Sequence, residues 1–182
     1  MYWVIEADLQ VKGLASIMDL PDDIEGMEWM CGKEMPDRKQ PISLNLNRGS
    51  GSFRGDIMGG ILPLYSDDLR DLFNEYGINN IQYFPVDITD TILNEVEYGY
   101  SLVNIIGLIS CVKNYDFNLS PLARPSSLEK FSIDPAKTFN LPIFRLFESR
   151  RLIVINDDLR NYLSDKGLAG VRITKTEEYT VW

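Results

Sequence analysis

One pattern occurs twice in the chain, 90 residues apart and without a gap. The first copy runs from Tyr65 through Ser66-Asp67-Asp68-Leu69-Arg70 to Gly77 and on to Tyr83. The second runs from Ile155 through Asn156-Asp157-Asp158-Leu159-Arg160 to Gly167 and on to Ile173. Each copy reads as a strand, a capped helix and a further strand. Ser66 and Asn156 carry short polar side chains that accept from the unpaired N–H groups of a first helical turn. The aspartates that follow lie at the positive end of the helix dipole, worth about 0.3–1 kcal/mol each. Leu69, Leu72, Phe73 and Tyr76 recur at i, i+3, i+4 and i+7, and Leu159, Tyr162 and Leu163 repeat the first three, so each helix has one apolar face. Gly77 and Gly167 fall where a left-handed residue ends a helix. Ile81/Tyr83 and Val171/Ile173 then alternate as half-buried strands do.

The doubled Asp-Asp also resembles a duplicated catalytic pair. Adjacent helical residues point about 100° apart, so Asp67/Asp68 and Asp157/Asp158 do not readily face one reacting atom. Capping is the better reading. Arg70 and Arg160 are expected to pair with the aspartates three residues back, an exposed bridge worth little.

Elsewhere, strands are predicted at 2–7, at 100–112 with a bend at Gly107, and at 152–155, with a short element between Phe139 and Phe147. Residues 113–127 read as loop. Residues 32–63 are irregular and contain Arg48-Gly49-Ser50-Gly51-Ser52-Phe53-Arg54-Gly55. This stretch lacks the Gly-Lys-Ser/Thr ending of a phosphate loop and the Gly-x-Gly-x-x-Gly spacing, so a turn is expected. Strands outnumber helices and alternate with them irregularly. The predicted fold is α+β, a mixed or mainly antiparallel sheet with short capped helices, in one domain over 1–182. Residues 1–60 form an irregular acidic N-terminal portion and residues 61–182 the α+β core.

The chain has no histidine. A Ser-His-Asp or Cys-His nucleophile and an imidazole zinc site are therefore impossible, and any general base must be a perturbed carboxylate, lysine or cysteine. Cys31 and Cys111 lack the spacing of a metal site, and Cys111 lies in an apolar run that predicts a buried thiol. Residues 1–100 hold 18 acidic and 7 basic residues, and residues 101–182 hold 9 and 11. The net charge of −9 argues against binding nucleic-acid phosphates and suits a basic protein partner. No apolar run approaches the roughly 18 residues of a membrane span, and the N-terminus lacks a secretory start. The expectation is a cytoplasmic protein with no membrane, metal or cofactor.

The C-terminal half resembles an immunity-protein family of bacterial polymorphic toxin systems, the myxobacterial-type immunity domain. Three blocks carry the resemblance, which covers roughly residues 60–175. They are Asn104-Ile105-Ile106-Gly107 with Asp116 and Ser120 following, Ile143-Phe144-Arg145-Leu146, and Ile153-Val154-Ile155-Asn156-Asp157-Asp158-Leu159 with Gly167-Leu168-Ala169-Gly170-Val171. The resemblance implies a non-enzymatic protein that occludes a cognate toxin, and it brings no catalytic residues. Arg145 is expected to form a partly buried structural pair. If the toxin has a basic surface, the candidate contact is Asp22, Asp23, Glu25 and Glu28 with Trp29 as aromatic anchor; the equal alternative for this segment is a solvated acidic loop with Trp29 packed inward. The alternative is a carboxylate-dependent hydrolase, which needs acids converging in a cleft, with Asp67, Asp68 and Asp116 first in line.

Overall fold

A computed structural model describes residues 1–47, 49–114 and 128–181. Asp116, Ser120 and most of the expected loop at 113–127 lie outside the described residues.

The fold is α+β, built on two mixed, mostly antiparallel five-stranded sheets. In chain order the elements are β1 (Tyr2–Ala7), the single-turn α1 (Gly26–Trp29), β2 (Ile42–Asn45), β3 (Ile57–Met58), β4 (Leu64–Ser66), α2 (Asp67–Tyr76), β5 (Ile81–Asp90), β6 (Glu95–Ile105), β7 (Leu108–Ile109), β8 (Ile143–Leu146), β9 (Ser149–Asn156), α3 (Asp157–Ser164) and β10 (Val171–Lys175). One sheet has the order β10-β1-β9-β8-β7 and the other β2-β5-β6-β4-β3. Only the β2/β5 and β7/β8 pairs are parallel.

The cap chemistry is as the sequence requires. Ser66 Oγ accepts from the Leu69 N–H at 3.1 Å, and Asn156 Oδ1 from the Leu159 N–H at 2.9 Å. Gly77, at φ 93°, ends α2 as expected, but α3 ends at Asp165 with an ordinary negative φ, and Gly167, at φ 70°, turns the chain two residues further on. Each helix joins two strands that flank an antiparallel neighbour, β6 between β4 and β5, and β1 between β9 and β10. The arginines diverge. Arg70 Nη1 reaches Asp67 at 2.6 Å, as expected. Arg160 instead lies over the Trp3 ring, 4.7 Å from its centroid, while Asp157 accepts from the Trp3 indole N–H at 2.9 Å. The β1 aromatic, far away in sequence, intercepts the aspartate that a local rule assigns to the arginine.

The strand alternation of both sheets divides the core into three layers. In the middle, Ile5, Val103, Ile105, Ile143, Ile153 and Ile155 pack with Leu69 and Phe73 of α2 and Leu159 and Leu163 of α3. The opposite face of the β2-β5-β6-β4-β3 sheet presents Leu64, Phe84, Val86, Ile88 and Leu102, covered by Ala15, Ile17, Ile24, Trp29 and Met30. The opposite face of the β10-β1-β9-β8-β7 sheet presents Val4, Phe144, Leu152 and Val154, covered by Phe131, Ile133 and Tyr179. The N-terminal portion is thus largely irregular, yet it supplies one core layer and the inner strand β1.

The long strand expected over 100–112 is two strands. β6 begins earlier, at Glu95, and ends at Ile105. Gly107, at φ 117°, turns the chain out of one sheet and into β7 of the other. Side-chain amides fasten this crossing: Asn80 Nδ2 donates to the carbonyls of Ile106 and Ile143 at 2.8 and 2.9 Å. Asn104, fully buried, donates to the Lys33 carbonyl at 2.7 Å and to Gln82 at 2.8 Å. Gln82 also exchanges two hydrogen bonds with the Met35 backbone. Gln82 and Asn104 thereby pair backbone groups of Lys33 and Met35, which lie outside any strand. The glycine-rich stretch forms a turn, with Asn47 Oδ1 accepting from Gly49 N–H at 2.9 Å. Gly51 is required there, since a Cβ would stand 2.0 Å from the Gly13 carbonyl oxygen.

Asn156→Ala removes one helix cap and is expected to cost about 1 kcal/mol. Ser66→Ala is expected to cost more, because Ser66 Oγ also donates to Asp56 at 2.7 Å. Urea denaturation of the two variants against the parent chain checks both the magnitude and the order.

Candidate functional site

The acidic segment starts with a turn closed by the Ile24 N–H on the Pro21 carbonyl at 2.9 Å, and Glu25 leads into α1. Ile24, Trp29 and Met30 point inward and hold the segment on the β2-β5-β6-β4-β3 sheet. The expected aromatic anchor is therefore not at the surface. Trp29 is 3% exposed and meets the Phe84 ring edge-on, with centroids 4.7 Å apart. The i, i+1 spacing places an apolar side chain beside Glu28 without saying which way it turns, and the open apolar face of β5 decides it. Asp22, Asp23, Glu25 and Glu28 are exposed. Asp23 pairs with Arg38, whose hydrogen bond holds its carboxyl below the usual range. The exposed apolar group among these acids is Met27, at 56%.

Another surface escaped the sequence reading. β5 and β6 form a long hairpin, and β4 pairs with β6 only at Tyr100–Leu102, so Glu95–Gly99 extends past it. Asp90 Oδ1 accepts from the Ile92 and Leu93 N–H groups at 2.8 and 3.1 Å and closes the turn, with Asn94 in the left-handed region. The register slips by one residue between the Val86–Tyr100 and Ile88–Glu97 pairs, where Gly99 has φ 89°. Such a bulge reverses which side chains face the core. Glu97 then stands opposite Ile88 and pairs with Arg54 at 2.5 Å. Val96 and Tyr98 go to solvent. The tip exposes Ile92 and Tyr98 at 69% each, Leu93 at 64% and Val96 at 45%, with Asp87, Asp90, Glu95 and Glu97 interleaved. The available signal was the alternation Glu95-Val96-Glu97-Tyr98, with acid on one parity and apolar groups on the other.

The acids proposed for catalysis do not form a described pair. Asp67 is engaged by Arg70, and Asp68 is exposed beside it. Asp157 holds the Trp3 indole. Asp56, unremarked in the sequence, accepts from Ser66 Oγ and from the Ala169 N–H, each at 2.7 Å, and so fastens the two sheets together. Among the described residues no group of three or more His, Cys, Asp or Glu is placed to hold a metal ion.

Arg145 departs from its expected role. It is fully buried rather than partly so, and no carboxylate pairs with it among the described residues. The two cysteines are free thiols, Cys111 buried and Cys31 partly exposed. Burial, reinforced by the carboxylates of Glu148 and Asp134, pushes the Cys111 thiol up to about 12. No family model and no curated protein matches the chain. No helix among the described residues is long and apolar enough to cross a membrane.

Alkylation with iodoacetamide at pH 8 is expected to modify Cys31 in the folded protein and Cys111 only after denaturation, as read by mass spectrometry. Cys111, Tyr100 and Tyr179 all titrate higher in the fold than in the free chain, with folded values of about 12. Their contribution to stability is complete below their ordinary values of 9 to 10 and is lost as pH climbs from there towards 12. Urea midpoints are therefore expected to fall over that window, and a flat profile would show that these groups are not buried.

Proposed function

We propose that the chain is an immunity protein of the bacterial cytoplasm that binds a cognate toxin and occludes it without catalysis. The observation that carries this reading is the tip of the β5–β6 hairpin. It exposes four large apolar side chains, Ile92, Leu93, Val96 and Tyr98, within seven residues of one hairpin. Exposed apolar clusters with a polar rim mark protein-interaction sites, and tyrosine is among the residues that dominate binding energy. The interleaved carboxylates favour a partner surface that is basic around an apolar groove. The resemblance of the C-terminal half to an immunity family supports the same reading. The exposed acids Asp22, Asp23, Glu25 and Glu28 add long-range attraction for such a partner, with Met27 as the apolar contact that Trp29 does not provide.

The test is coexpression with the product of the adjacent gene, followed by affinity measurement on the purified pair. The parent chain is expected to restore growth, and failure to protect would overturn the immunity reading. Tyr98→Ala and Leu93→Asp are expected to weaken binding by about 30-fold or more, the effect of losing roughly 2 kcal/mol at a dominant contact. Their thermal midpoints are expected to stay at the parent value, because both side chains are exposed. Charge reversal at Asp22, Asp23 and Glu25 is expected to slow association and flatten its salt dependence. Protection that survives the hairpin variants at full affinity would remove the hairpin as the contact.

A further inference from the structure

The middle layer contains one strongly polar group that the fold leaves incompletely bonded. β8 is buried at all four positions, and its third residue is an arginine. Arg145 is 1% exposed. Its Nη1 donates to the Arg150 carbonyl at 3.0 Å, while Nε and Nη2 meet no partner among the described residues. A guanidinium keeps its charge in proteins, and a buried charge without a counter-charge costs several kcal/mol. Opposite, on β4 of the other sheet, Tyr65 is also fully buried, and its hydroxyl likewise has no partner among the described residues. Burial pushes the Tyr65 phenol well above its ordinary value, so it remains a neutral donor and does not neutralise the arginine. Glu6 is nearby but committed: it accepts from Arg172 and, at 3.2 Å, from the Tyr179 hydroxyl.

Arg145 and Tyr65 line the same cleft, of about 360 Å³. That volume lies at the small end of ligand sites, roughly 300–1,000 Å³. Ile5, Ile57, Met58 and Ile153 contribute apolar walls, and Ser149 and Arg151 also border it. We infer that this cleft is a binding site for a small organic acid, a carboxylate on an apolar tail.

The donor geometry selects the carboxylate. Nε–H and Nη2–H form the side edge of the guanidinium, two parallel donors that match the two oxygens of one carboxylate. The Tyr65 hydroxyl provides a third donor to the same anion. One buried guanidinium balances one negative charge, whereas a phosphate ester brings up to two charges and three oxygens. The aliphatic walls favour a hydrocarbon tail over a sugar or an amino-acid zwitterion. The inference stands apart from the hairpin and from toxin binding, since neither contributes a residue to the cleft.

Calorimetric titration of the full chain with octanoate tests it. Octanol, octyl phosphate and acetate serve as the probes that lack the charge, change the anion and lack the tail. One octanoate is expected to bind per chain and to raise the thermal midpoint, with octanol, octyl phosphate and acetate each at least tenfold weaker. Tyr65→Phe deletes only the hydroxyl and is expected to weaken octanoate about tenfold. Arg145→Met is expected to abolish octanoate binding while leaving octanol unchanged, and Arg145→Lys, which keeps the charge without the fork, is expected to restore only part of it. If the Arg145 variants fail to fold, Tyr65→Phe and the probe series decide the matter. No octanoate binding at millimolar concentration, octanol or octyl phosphate binding as tightly, or equal octanoate affinity in Tyr65→Phe would overturn the assignment.

Discussion

Both sheets are apolar on both faces, so the fold must provide three layers of cover. Among the described residues there are only two helices longer than a single turn, and both are spent on the middle layer. The outer layers therefore fall to chain without regular structure: residues from Ala15 to Met30 over the β2-β5-β6-β4-β3 sheet, and Phe131, Ile133 and Tyr179 over the other. Irregular chain laid over a sheet brings backbone N–H and C=O groups that no ladder satisfies. The side-chain amides of Gln82 and Asn104 meet part of that need at Met35 and Lys33, just past that segment, and Asn80 serves the crossing between the sheets at Ile106 and Ile143.

The same arrangement explains why the acidic segment presents as it does. Trp29 is drawn into the outer layer by Phe84, and this anchors the one-turn α1. The carboxylates around it are left exposed on a fixed turn. The hairpin of β5 and β6 differs: β4 flanks β6 only as far as Tyr100, and the bulge at Gly99 turns the apolar parity outward where that cover ends, while β2 continues along β5 to Thr89. One surface offers charge with little apolar area, and the other offers apolar area edged with charge. The proposed toxin contact draws on both, with binding energy from the hairpin and attraction from the segment 22–28.

Much of the fold was legible because its signals are local. A cap and a first-turn aspartate act within one turn of helix and stand where the sequence placed them in both copies, and Gly77 closes α2 as expected, whereas α3 ends at Asp165, two residues before Gly167. The strands at 2–7 and 152–155 were plain from their runs of aromatic and β-branched residues, and that at 171–173 from alternation. What could not be read were choices between partners distant in the chain. Asp157 takes the Trp3 indole rather than Arg160, which no spacing within 157–160 foretells. Gly107 suggested a bend, but that it divides two sheets depends on where β8 runs. Trp29 and Arg145 show the limit at the candidate sites. Trp29 reads equally as a surface anchor or as packed inward and is core, while Arg145 reads as half of a pair and is buried with part of its guanidinium unbonded among the described residues. In each case the deciding neighbour, Phe84 or Tyr65, lies more than fifty residues away.

The position of β1 has a consequence for how the molecule comes into being. This first strand lies between β9 and β10, which are the last strands of the chain. At roughly 5–20 residues per second, a ribosome needs on the order of ten seconds or more to deliver its first neighbour after β1 has emerged. During that interval Val4 and Ile5 have no sheet to enter, and both edges of the strand are open to wrong pairing. Pairing across so long a loop is entropically slow. Assembly of the sheet around β1 is therefore a late event, and a chain released short of β9 would retain β2 to β6 with Leu69, Phe73, Val103 and Ile105 lacking the cover that Ile153, Ile155, Leu159 and Leu163 supply.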